Sequence, residues 1–370
     1  MNLPDLASTP APLSGFPVGK PSMVQDSRDF APASQTRQLS PASRGTPVLT
    51  PPLSDSASST RPHPASSIPL ALVRRIGEYP SLLMKGAFMS PLLHLSLYSL
   101  YSNVVPDMTL LPQTLMAIAC GSGIRSSDSS RFFRRAMDAA RQRLIASFPT
   151  HQCMEQWDAL HAMLVYEVVD LRASLMEATE KWSHKAPVKG LRSPFLLKMT
   201  NSYLGHYPQI RNPDVGVFSD PNSNPCPAAT SAWARWRITE TARRTVFFAN
   251  IVNFYGNRDH QTGKQTPYYE PLNDDLVLNM PLPCNEAAWS ARNEEDWRLA
   301  IDSLPPLASR LSSSCNSLGC ETVSSEISLK SIFSKFPKEH LQAELGTKAG
   351  FGDSDEFRAL IVLCASEQFA

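Results

Sequence analysis

Residues 115–128 read LMAIACGSGIRSSD, and the CGSG within them, Cys120-Gly121-Ser122-Gly123, decides between two fold classes. A dinucleotide or S-adenosylmethionine cradle needs a β-strand leading into its glycines, so that the turn sits at the carboxyl edge of a parallel sheet. What leads in here is LLPQTLMAIAC, rich in Leu, Met and Ala. Leu111, Leu115 and Ile118 share one helical face, and Ile118 is the only β-branched apolar residue among them. Gly121 and Gly123 therefore read as a helix stop and a turn into the next helix.

Helical periodicity continues on both sides. Upstream, PLALVRRIGEYPSLLMKGAFMSPLLHLSLYSLY is apolar but interrupted by Pro80, Gly86 and Pro91, which predicts short helices in a corner. Downstream, DSSRFFRRAMDAARQRLIASFP places Phe133, Ala136, Met137, Ala140, Leu144 and Phe148 on three- and four-residue steps. Asp128 or a neighbouring serine suits its start, and Pro149 its end. Trp157, Leu160, Leu164, Val168, Leu171 and Leu175 mark a second long helix, with His161 beside the stripe as a packed side chain. SAWARWRITETARRTVFFANIVNFYGN predicts a third, with Trp233, Trp236, Phe247, Phe248, Ile251, Val252 and Tyr255 on its apolar face and Gly256 and Asn257 at its end. EAAWSARNEEDWRLAI resumes as a helix behind Asn285, and two more are expected near 323–334 and 354–364. With no βα alternation and no repeat, the expected fold class is all-α.

Composition sets further bounds. Residues 1–69 hold 13 of the 32 prolines, as in SPASRGTPVLTPPLSDSASSTRPHPASS, and are expected to be a disordered Ser/Pro-rich segment. A helical domain is expected over 70–300 and a helical extension with a Ser-rich loop over 301–370. A net charge of +1 gives no overall basic field for nucleic acid. No stretch has the length of apolar sequence that spans a bilayer, and the N-terminus lacks the pattern of a secretory signal. The seven cysteines, at 120, 153, 226, 284, 315, 320 and 364, form neither a Cys-x-x-Cys nor a framework of pairs. They are expected to be reduced, in an intracellular protein without metal.

No catalytic constellation stands out. Gly121-Ser122-Gly123 is too tight for a Gly-x-Ser-x-Gly elbow, and no Walker-type loop is present. Asp274-Asp275 and Glu294-Glu295-Asp296 read as solvated surface. On the third helix, Glu240 precedes Arg243 and Arg244 by three and four residues, a spacing that pairs them on one face. Arginine at a partly buried position would set its planar fork on a carboxylate or carbonyl.

Trp236, Glu240, Arg243, Arg244 and Thr245, running into VFFANIVNFYG, resemble a segment of fungal-specific transcription factors. Pro281-Leu282-Pro283-Cys284 and Glu286-x-x-Trp289, in LNMPLPCNEAAWSA, look like the same family's Leu-Pro-Leu-Pro-Cys…Glu-x-x-Trp element. YPSLLMKGAFMSPLLH is similar to its Tyr-x-x-(Leu/Met)-Leu…Pro-Pro-Phe-Ile-His element, with departures at Met89, Leu92 and Leu93. AMDAARQRLIASF and WDALHAMLVYEVVDL resemble its paired helices, with Ala140 in place of a glutamate and Ala162 of a glutamine. The four elements fall in the family's order from about 79 to 297.

The resemblance implies a regulatory domain of antiparallel helices in a nuclear transcription regulator, one controlling genes of a secondary-metabolite cluster. The family's DNA-binding zinc module needs clustered cysteines, and none precedes Cys120. The expectation is therefore a non-enzymatic regulator without cofactor or bound zinc. Its expected partners are other transcription factors or the transcription machinery, with DNA reached indirectly, no membrane, and dimerisation open. The alternatives are a cofactor-binding enzyme using the Cys120 to Gly123 turn, and a helical scaffold or inhibitor of full-length zinc-cluster factors.

Overall fold

A computed structural model describes residues 67–85, 88–98, 111–122, 130–179, 194–223, 226, 229–259, 262–267, 269–302 and 327–369. The expected disordered segment 1–69 lies outside these residues except at its end, where Ser67 already opens the first helix. Among the described residues the fold is all-α, with two isolated β-bridges and no strand.

In chain order the helices are α1 (Ser67–Leu83), α2 (Leu95–Tyr98), α3 (Pro112–Ser122), α4 (Ser130–Ser147), α5 (Met154–Thr179) and α6 (Pro194–Leu204). There follow α7 (Ala232–Gly256), α8 (Asp274–Asn279), α9 (Glu286–Trp289), α10 (Glu294–Asp302), α11 (Leu329–Phe333), α12 (Lys338–Leu345) and α13 (Ser354–Phe369). Short 3-10 turns at 208–211, 215–219 and 221–223 lie in the connection from α6 to α7.

The architecture turns on two helices. α5, 26 residues and about 39 Å long at 1.5 Å per residue, packs against α1, α3, α4, α6 and α7. α7, of 25 residues, packs against α5, α6 and α13. Every residue of α7 from Ala234 to Tyr255 is buried. A helix that is covered all round belongs to the interior of a large domain, and its polar residues must find partners there. The expectation of one apolar face is thus corrected. Only the aromatic half was visible as a stripe, while the polar half is buried through the Glu240 ion pairs and through hydrogen bonds such as those of Arg235 to backbone carbonyls.

α1 buries Leu72, Val73, Ile76, Tyr79 and Leu83 at helical spacing and continues through Pro80, where a break was expected, while α2 is a separate short helix in the same stretch. Pro80 lies in its last turn, where it removes one hydrogen bond to the Ile76 carbonyl without a following turn to disrupt. The expected single helix after Asn285 is two: Asn285 caps α9, and Asn293 receives the Asp296 N–H at the start of α10. α12 was not foreseen, and α11 and α13 start or end several residues away from the expected ranges.

Leu329, Ile332, Leu341, Phe357, Leu360 and Ile361 join the same hydrophobic core as α1, α5 and α7. A satellite cluster gathers Phe218, Trp236, Ala288, Ala291, Trp297 and Ala300. Among the described residues, no helix is long and apolar enough to cross a membrane.

The 120–123 stretch resolves in part. Cys120, Gly121 and Ser122 are the last residues of α3, and Gly123 lies outside the described residues. Gly121 is the last residue but one of α3, within one residue of the helix end expected there. A Cβ there would meet Val169 Cγ2 of α5 at 3.0 Å, so the glycine serves close approach of two helices.

Candidate functional site

The densest polar cluster lies on α7. Glu240 and Arg244, one turn apart, have no exposed surface, and Arg243 has almost none. Glu240 Oε1 accepts from Arg244 Nε at 2.9 Å and from the Cys284 N–H at 2.8 Å, while Oε2 accepts from Arg243 Nη1. Burial alone would raise the Glu240 carboxyl; the Arg243 and Arg244 charges more than offset it and hold it below the usual carboxylate range.

Arg244 uses its whole fork. Nη1 donates to the Pro91 carbonyl at 3.1 Å, and Nη2 donates to the Cys284 carbonyl and Ser354 Oγ at 3.0 Å each. Its guanidinium lies 3.8 Å over the Trp289 ring. One side chain therefore ties together α7, the approach to α2, the segment before α9, and the start of α13. Arg243 extends the brace to the carbonyls of Ile210 and Asn212 at 3.2 and 3.3 Å. Glu286 Oε2 accepts the Ser354 N–H at 2.8 Å, joining α9 to α13.

The nine residues singled out from sequence thus fall around one region in different ways. Glu240, Arg243, Arg244, Glu286 and Trp289 form the brace itself. Trp236 faces Trp297 in the satellite cluster at 5.2 Å. Thr245 donates to the Thr241 carbonyl and accepts from Trp157 Nε1 at 2.9 Å, fastening α7 to α5. Pro281 forms a bridge with Ser328, and Pro283 is buried just before Cys284. The Pro91 carbonyl and Cys284, which lie within the family-like segments, and Ser354, which no sequence pattern marks, carry as much of the brace. Burial and the Glu240 charge push the Cys284 thiol up, which favours its protonated form.

A second buried network runs from α1 through α5 to α3. Asp158 accepts the Gln113 and Thr114 N–H groups at 2.9 and 3.0 Å, capping α3 from another helix. Thr114 Oγ1 donates to Asp158 at 2.7 Å and so accepts from His161 Nδ1. That leaves His161 Nε2 to accept from the Tyr79 hydroxyl at 2.6 Å, and Ser90 Oγ meets the same hydroxyl at 2.8 Å. His161 stacks on Trp157 and is completely buried, and burial lowers its pKa to about 3. The chain of groups resembles a proton relay, but no member has more than 6% of its surface exposed, so it acts as a fastener. Among the described residues, no group of three or more His, Cys, Asp or Glu could hold a metal ion.

Cys153 and Cys226 are joined by a disulfide, which corrects the expectation of unpaired cysteines. They stand 73 residues apart, and the fold alone brings the turn before α5 next to the segment leading into α7. Cys153 is the only non-glycine described residue with a left-handed backbone, at φ 48°. Cys120, Cys284 and Cys364 are free, and Cys315 and Cys320 lie outside the described residues.

The chain matches no protein-family model, no curated protein and no solved structure.

Proposed function

We propose that the chain is the helical regulatory region of a fungal-type transcription regulator, acting in the nucleus through contacts with other transcription factors or the transcription machinery. One observation carries this reading. Segments that resemble that family at 79–94, 236–245 and 278–291 are distant in sequence, yet Arg244 binds the first at Pro91 and the third at Cys284 and Trp289. A set of residues shared for a common fold would meet in this way, because each contributes one part of a single buried brace. The brace is a means of holding helices in register, and it offers no reacting group. In this reading DNA is reached through a partner, and the chain is not an enzyme.

The placement of Cys120 to Ser122 in a helix, with Gly121 against Val169, supports the helical reading over a cofactor turn. The test is transcriptional. Deleting the gene should change transcript levels of a secondary-metabolite pathway, and restoring the full chain should recover them. Unchanged transcripts across such pathways would overturn the reading. Co-purification of a zinc-cluster factor, with no activation by this chain alone, would replace it with the scaffold reading.

A further inference from the structure

α3 and α4 leave a groove between them that no other described element fills. It holds about 620 Å³, within the range of roughly 300–1,000 Å³ in which proteins take up ligands, and it is open to solvent. Ala140 and Leu144 of α4 form its buried floor, with 4% and 3% of their surface exposed. Met116 of α3 stands on one side, and Arg143 and Ala146 of α4 on the other. Leu115 and Met116, neighbours on α3, are 46% and 44% exposed. A single exposed hydrophobic residue needs no explanation, but adjacent ones beside an open groove mark a contact surface. Phe132, 71% exposed, precedes Arg143 by eleven residues, about three turns, and so extends the apolar surface along the same face of α4.

The charge on this surface has one sign. α4 holds five arginines and a single acid, Asp138, while α3 has no charged residue. Asp138 is taken up by Arg141 at 3.4 Å, and among the described residues no carboxylate pairs with Arg135 or Arg143. Arg135, Ala139, Arg143 and Ala146 are exposed and recur at four- and three-residue steps. Arg135 therefore continues the edge that Arg143 forms, about 12 Å further along the helix. An apolar floor between a neutral edge and a cationic edge is complementary to a helix whose apolar stripe is flanked by carboxylates.

We propose that the groove between α3 and α4 docks an acidic amphipathic helix of a partner protein. This deepens the regulatory reading and rests on it, as the place where the chain contacts another transcription factor or the transcription machinery. α3 has 11 residues and is about 16 Å long, so about three turns of a partner helix lie against it. Apolar residues at i, i+3, i+4 and i+7 of that helix reach the floor at Ala140 and Leu144, and Met116, unbranched and adaptable, closes over them. Carboxylates on its flank meet Arg143 and Arg135, whose planar forks match two oxygens each. Both cations are exposed, so they orient the partner, and the apolar contact supplies most of the affinity. Among the described residues there is no strand for an extended peptide to join.

The probe is a fluorescein-labelled helical peptide of about 16 residues, with leucines at i, i+3, i+4 and i+7 and glutamates on the flanks. A second peptide carries lysines in place of the glutamates. The full chain should raise the anisotropy of the acidic peptide saturably, and less strongly as salt rises. Arg135→Glu with Arg143→Glu should weaken that binding at least about tenfold and should bind the lysine peptide better than the native chain does. Misfolding would not produce such a reversal. Met116→Glu should also weaken the acidic peptide, and it serves if the double variant does not fold. No saturable binding, equal binding of both peptides, or unchanged binding in the folded variants would overturn the site. Capture by phosphatidylserine vesicles without peptide binding would overturn it in favour of a lipid surface. The regulatory reading fails separately: unchanged pathway transcripts on gene deletion would sink it while groove-dependent peptide binding leaves the docking site standing.

Discussion

Arg244 Nε donates to Glu240 Oε1 at 2.9 Å inside a helix that water does not reach on any side, and neither residue has exposed surface. On a solvated helix the same i,i+4 spacing contributes only a few tenths of a kcal/mol. Here both groups are desolvated, and removing one strands the other. Glu240→Gln should therefore cost about 3–5 kcal/mol of unfolding free energy, measured by urea denaturation. Arg244→Met should cost a similar amount. The double variant should cost less than the sum, because neither charge is then left alone. Strictly additive losses would show that the two residues do not act as a pair.

The two buried histidines make stability depend on pH. Burial lowers His161 to about 3, and burial with the Arg237 and Arg244 charges lowers His94 to about 3. In the unfolded chain both return to an ordinary value of about 6.5. The unfolded state therefore binds more protons between these limits, and folding stability falls as pH drops below about 6.5. Each histidine contributes up to about 1.4 kcal/mol per pH unit. The lowered Glu240 carboxyl adds a further loss once pH falls below about 4.5, as it is protonated in the unfolded chain first. Urea midpoints at pH 7.5, 6 and 5 measure the slope, and His161→Phe should reduce it by one proton. Equal midpoints at all three pH values would contradict the neutral assignment of both rings.

The long helices were legible because their apolar residues recur at helical spacing, as Trp157 to Leu175 do on α5. Periodicity could not reveal that α7 is covered on every side. Arg235, Arg237, Glu240, Arg243 and Arg244 look like a solvated face until their partners at Pro91, Ile210, Phe218 and Cys284 are known. Those partners are backbone carbonyls for the most part, and a carbonyl leaves no mark on a sequence. The resemblance of separated segments did point to Glu240, Arg244 and Trp289 together. It gave no sign of Ser354 or of the Cys153–Cys226 bond, whose partners lie far apart in the chain.

That bond should matter to stability in a way that reduction exposes. Closing a loop of 73 residues removes unfolded-state entropy equivalent to about 4 kcal/mol in the loop-closure treatment. Dithiothreitol, or Cys153→Ala with Cys226→Ala, should lower the urea midpoint accordingly. In the variant lacking the bond, glycine at 153 should be about 1 kcal/mol more stable than alanine there, since φ 48° strains any side chain with a Cβ. A midpoint insensitive to reductant would mean that the bond is absent from the folded protein in solution.

Gly121 separates the helix reading from the cofactor-turn reading most directly. In a phosphate-cradling turn, a side chain at this glycine would abolish ligand binding and leave the scaffold largely intact. In the last turn of α3, the side chain instead meets Val169 of α5, 3.0 Å from the nearest methyl. Alanine gains helix propensity of about 1 kcal/mol and forces a small shift of Val169, so Gly121→Ala should be close to neutral. Gly121→Leu overfills the contact and should cost about 1–3 kcal/mol. Combining it with Val169→Ala should recover part of that loss, because the two side chains compete for one space. Absence of any recovery in the pair would show that Gly121 and Val169 do not touch, and that the close approach of α3 to α5 is not why a glycine stands there.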